Sequence, residues 1–172
     1  MKELFNRVKN KCSQRASKEN LSGAIDEVLS QCETNEDRLG GILDSEAVHI
    51  CAANKHLTFI KVILSLLAEP QRQTNIVLNH LDGDCFTPLM TYVRHIDSND
   101  LEDSIRVIKT HQFVESIISL GADKNIIHAK TGFSALGHFR ENEPKFQTWK
   151  VEARMIKQIL NFNTRRRRNA SR

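Results

Sequence analysis

The sequence predicts an all-α protein, built as a stack of helical hairpins. Three observations carry that reading. Apolar residues recur at spacings of three and four, the period of one helix face. The apolar–polar alternation of a half-buried strand is missing almost everywhere. Two helix openings, Thr87-Pro88 and Ser134-Ala135, share one pattern, which points to an internal repeat.

Residues 1–40 read as an N-terminal helical cap or a degenerate repeat, with Leu4, Phe5 and Val8 inside and Lys2, Arg7, Lys9, Lys11 and Arg15 outside. Leu21, Ile25, Val28, Leu29 and Cys32 mark the second helix of that segment. Gly40-Gly41 reads as a break before the first clear repeat. Ile60, Ile63, Leu64 and Leu67 mark the next helix face, and Glu69 to His80 reads as an unusually long connection. At Thr87-Pro88 the hydroxyl can accept from a free backbone N–H, and the proline lacks a donor that would be orphaned anyway. Leu101, Ile105 and Ile108 lie at helical spacing between Asp97 and Thr110, so this stretch should extend the helix after it. Asp97, Asp100, Glu102 and Asp103 suit an acidic helix start, where negative charge complements the dipole. Val114, Ile117 and Ile118 lead to Gly121, which fits the left-handed position past a helix end. Ile156, Ile159 and Leu160 mark the last helix, Val151 to Phe162. Glu152, Arg154, Lys157 and Gln158 on its other face suit the end of a stack.

Composition narrows the class. A chain of 172 residues, 40% apolar and 27% charged, suits one globular domain and excludes collagen-like, low-complexity and wholly disordered chains. No apolar run approaches the roughly 20 residues of a transmembrane helix, and no apolar leader follows Met1. A soluble protein of the cytoplasm or nucleus is expected. The net charge is +4, but from Lys145 to Arg172 nine Lys or Arg face the single Glu152. Basicity therefore belongs to the C-terminal end and is no sign of a nucleic-acid-binding fold. Cys12, Cys32, Cys51 and Cys85 form no CxxC pair, so no zinc site or redox dithiol is expected.

The repeat has a recognisable form. Asp82-Gly83-Asp84-Cys85-Phe86-Thr87-Pro88-Leu89-Met90 and Lys130-Thr131-Gly132-Phe133-Ser134-Ala135-Leu136 are turn-and-helix openings. Phe113 to Leu120 is followed by Gly121-Ala122-Asp123-Lys124-Asn125. A weaker copy, Glu46 to His56, keeps His49, Ala52 and His56 of a T-P-L-H-x-A-A-x-x-G-H opening. These segments resemble the ankyrin-repeat family, with its T-P-L-H opening and G-A-D-x-N exit. The resemblance implies one ankyrin-like domain over residues 1–163, with repeats at 41–81, 82–127 and 128–163 and a basic flexible tail at 164–172. The Thr-Pro equivalents fall at 46, 87 and 134, a longer interval than the family's 33 residues, so insertions are expected.

The same resemblance implies protein recognition without catalysis, through turn tips and first helices. Carried over by position, the partner-binding residues would be Asn54, Asp82, Asp84, Phe86, Arg94, His95, Lys130 and Phe133. Phe86 and Phe133 would be exposed aromatic anchors on neighbouring tips. Tyr92 would face inward and Arg94 outward. His49 matches a histidine that bonds backbone in the neighbouring turn, with Cys51 as a small buried residue. Asn125 matches the exit asparagine that asparaginyl hydroxylases modify in this family.

Other chemistry finds little support. GxSxG, HExxH and P-loop patterns are missing, and no cofactor or metal is implied. His128 and His138 suit a binding surface better than catalysis. The run Arg165-Arg166-Arg167-Arg168 reads as a nuclear-import signal, a contact for nucleic acid or an anionic membrane, or a solvated end. Ser171, with Arg168 three residues before it, suits a kinase. Divergent repeats with inserts also suit a host-directed effector or viral ankyrin mimic.

Overall fold

Thr87 and Pro88 open their helix as the sequence dictates. The Thr87 hydroxyl accepts from the Met90 N–H at 3.2 Å, with the proline at the first helical position. A computed structural model describes residues 34–162, apart from 66 and 68. The N-terminal segment with Cys12 and Cys32, its helix face and the basic tail lie outside the described residues.

Among the described residues are eight α-helices and two 3-10 stretches, and no strand. They are α1 (Asn35–Asp44), α2 (Ala47–Ala53), α3 (Leu57–Ser65), α4 (Pro70–Asn79) and α5 (Pro88–Arg94). A 3-10 turn, Ser98–Leu101, precedes α6 (Ser104–Ser119). After α7 (Ala135–Asn142), a second 3-10 stretch, Glu143–Trp149, leads into α8 (Lys150–Phe162). The all-α expectation is borne out. α2 packs on α5 and α5 on α7, while α6 packs on α8 and α4 lies against α1, α3 and α5. Tyr92 of α5 stacks on Phe113 of α6 at 3.7 Å between ring centres and joins the two rows of helices.

Several local expectations hold. Ser134 caps α7 through the Gly137 N–H at 3.4 Å. Asp97 and Asp100 cap each other's backbone around the first 3-10 turn, and Asp103 caps α6 through Arg106 N–H at 2.8 Å. The acidic run thus serves two helix starts in succession. Gly121 follows α6 with φ +117°, and a Cβ there would collide with the Asn75 carboxamide. Asn79 of α4 grips this exit, donating to the Gly121 carbonyl at 3.1 Å and accepting from the Asp123 N–H at 2.6 Å.

Two expectations need correction, and two hold in part. Gly40-Gly41 lies inside α1. The break falls instead at Ser45-Glu46, where Glu46 takes the left-handed conformation at φ 53°. Glu69 to His80 is not a plain connection, because Pro70 starts α4 and Val77 and Leu78 bury themselves beneath it. α6 is extended toward its N-terminus as expected, but Val107 faces the core while Ile105 and Ile108 are exposed. α8 buries Ala153, Ile156 and Leu160 and exposes Arg154 and Gln158 as expected, but Val151 and Met155 stand exposed beside them, and Lys157 turns to Glu143 at 2.8 Å.

Candidate functional site

The turn before α5 is built by Asp82. Its carboxylate accepts from the Asp84 N–H at 3.0 Å and the Phe86 N–H at 2.8 Å, and its own N–H donates to the Phe86 carbonyl at 3.0 Å. Such a side-chain bond to backbone two residues on is what makes Asp a turn former. Asp82 is therefore engaged within its turn, whereas Asp84 projects from the tip. The turn before α7 is closed by backbone, with His128 N–H donating to Phe133 O at 2.9 Å.

Neighbouring turns are joined by histidines. Nε2 of His49, on α2, lies 3.0 Å from the carbonyl oxygens of both His80 and Phe86. Carbonyls only accept, so Nε2 carries the proton. His128 repeats the device one turn later, donating from Nε2 to the Asp84 carbonyl at 2.9 Å. Its Nδ1 then accepts from the Thr131 hydroxyl at 2.8 Å and N–H at 3.2 Å. Glu46 adds a link, accepting from the Gly83 N–H at 3.0 Å. The backbone role expected for His49 is borne out, and Cys51 is fully buried on the same helix.

Rings stack along the same path. Phe86 lies flat on His128, 4.1 Å between centres at an interplanar angle of 7°. The guanidinium carbon of Arg94 lies 4.0 Å from the Phe86 ring centre, as a cation–π contact. His138 meets Phe86, His128 and Phe133 edge-on. Burial pulls the titration of His138 below its ordinary value, against the raising pull of Glu141 at 3.3 Å; His128 and Arg94 reinforce the lowering. Burial likewise lowers His49, opposed by Asp82 and the two backbone bonds.

Two expected surface assignments are overturned by this geometry. Phe86 is only 9% exposed, because the next turn supplies His128 as its cover. It is a core ring and no free anchor. His128 and His138 are each 2% exposed and serve as turn braces, not as a binding surface.

The remaining candidates are exposed, and the structure brings Lys130 and Asp84 together. Phe133 is 37% exposed, with its base close to Gly137, where an added Cβ would lie 2.8 Å from the Phe133 Cβ. Lys130 and Asp84 are exposed on adjacent tips, with Nζ and Oδ1 4.0 Å apart. Arg94 and His95 end α5 in solvent, and His95 Nδ1 donates to the Thr91 carbonyl at 2.7 Å. Asn54 ends α2, donating to the Ile50 carbonyl at 2.9 Å. Tyr92 is buried and Arg94 exposed, as expected. Asn125 is exposed, and both its N–H and its amide turn to Asp123 Oδ1. Arg165 to Arg168 and Ser171 lie outside the described residues.

Sequence reasoning missed the Arg94–Phe86–His128 stack and the α4 clamp. The first had a signal, since an aromatic before Thr87 recurs before Ser134. The second had one too, in Pro70 followed by Ile76, Val77 and Leu78. No group of three His, Cys, Asp or Glu able to hold a metal ion occurs among the described residues. No helix among them is long and apolar enough to cross a membrane. No family model matches the chain, and no curated protein or solved structure matches it significantly.

Proposed function

We propose that the chain is a non-catalytic interaction module of ankyrin-like architecture, binding a partner protein through turn tips and first helices. The observation that carries this reading is the succession α2, α5, α7, joined turn to turn by His49 and His128. Such a succession, with α6 and α8 as the second row, is what an ankyrin-like stack requires. It leaves Asp84, Arg94, His95, Lys130 and Phe133 as a mixed-charge surface around one half-exposed aromatic. The buried histidines, natural candidates for acid–base work, are engaged by backbone carbonyls and turn bonds. That favours a binding role over an enzyme.

The test is affinity capture from lysate at physiological salt, with the full chain and a Phe133→Ala/Lys130→Glu variant. A protein retained by the parent and lost by the variant supports the reading. The same proteins captured by both would contradict it.

A further inference from the structure

We propose that the outer face of α6 and α8 docks onto an anionic membrane surface. The two helices start at one end, because the 3-10 stretches that precede them pack together. They finish together too: Lys124, just past α6, donates to the Leu160 carbonyl near the end of α8 at 2.9 Å. Side by side and codirectional, they turn apolar side chains outward. Val151 and Met155 are 68% and 42% exposed, and Ile105 and Ile108 are 63% and 52% exposed. Val151, Met155 and Ile159 are spaced four apart and share one side of α8. Met155 and Ile159 face Ile118, His111 and Glu115 across a shallow groove of about 430 Å³. Single exposed apolar residues are ordinary, but several on adjacent helices form a patch with a purpose.

Charge selects the occupant. Lys109, Lys150 and Arg154 are exposed on these two helices. None makes a salt bridge among the described residues. Glu115, at the groove, faces His111 at 3.8 Å. Beyond Phe162 the sequence continues with five arginines and no acidic residue. A nucleic acid would engage the cations and leave the apolar side chains in water. A second copy of the chain would bury the apolar side chains and bring like charges together. An anionic bilayer satisfies both, with Val151, Met155, Ile105 and Ile108 at the acyl boundary and the cations on headgroup phosphates. This face differs from the turn-tip face, so the two surfaces are separable by mutation.

The experiment is co-sedimentation of the full chain with vesicles of phosphatidylcholine alone or mixed with phosphatidylserine. Binding is expected to the mixed vesicles, falling steeply as salt is raised. Val151→Asp with Met155→Asp should weaken it at least about tenfold with helicity by circular dichroism unchanged. Arg165→Gln through Arg168→Gln together should weaken it further, at roughly fivefold per cation removed. Lys150→Glu with Arg154→Glu tests the charge within the helices alone and should also reduce binding. Phe133→Ala/Lys130→Glu should bind vesicles as the parent does. Equal binding to both vesicle types, binding untouched by the Val151/Met155 substitutions, or retention on RNA with none on vesicles would overturn the proposal. So would a parent dimer, seen by sedimentation, that the Val151/Met155 substitutions dissociate.

Discussion

The turn at 82–87 and the turn at 128–134 share one plan and end with opposite aromatics. Each places a phenylalanine just before a hydroxyl residue that caps the next helix. Phe86 is 9% exposed and Phe133 is 37% exposed. The neighbour on the C-terminal side makes the difference. Phe86 is covered by His128 of the next turn, while Phe133 meets only His138 of its own hairpin among the rings described. Local sequence makes the turn, and the adjacent turn decides whether its aromatic is core or surface.

The largest effect should come from truncating each aromatic in turn. Phe86→Ala should destabilise the fold by about 3 kcal/mol, as expected for an aromatic truncated in a packed site. Phe133→Ala should cost under about 1 kcal/mol. Urea denaturation of both variants checks this, and equal losses would erase the distinction between the two turns. Next comes His49→Ala, which strands the Phe86 carbonyl and should cost about 2 kcal/mol in the same assay.

The buried histidines add a pH dependence. His49 and His138 titrate below their ordinary value of 6.5, chiefly through burial. The unfolded chain therefore binds more protons than the folded one below that value, and stability rises with pH through the window. The urea midpoint should fall as pH drops from 6.5 toward the lowered folded values, and stay flat above neutrality on their account. His138→Gln should flatten part of that slope. The smallest effect is Lys130→Ala, whose partner Asp84 is 4.0 Å away with both side chains well exposed. It should leave the urea midpoint unchanged while weakening capture of a partner protein.

Helix starts and stops were the most legible part of the sequence. Thr87, Ser134, Asp103 and Gly121 act through bonds to their own backbone neighbourhood, which adjacent residues reveal. Burial was less legible because it depends on partners distant in sequence. Ile105 and Ile108 have helical spacing, yet spacing cannot say which side of α6 meets α8, and Val107 takes the inner position. Gly40-Gly41 has the composition of a break, but helix packing holds it within α1. His128 and His138 look like surface polar residues until the Asp84 carbonyl and the Phe86 ring are brought to them by the fold. On the candidate site, Arg94, Lys130 and Phe133 stayed outside, while Phe86 was claimed by the stack.

Neighbouring turns brace one another through the Phe86–His128 ring pair and the His128 bond to the Asp84 carbonyl. A double-mutant cycle of Phe86→Ala and His128→Ala, measured by urea denaturation, probes this without intermediaries. A favourable coupling of about 1 kcal/mol is expected for a stacked pair in contact. Strictly additive losses would show that the two rings do not support each other, and the brace between turns would have to be abandoned.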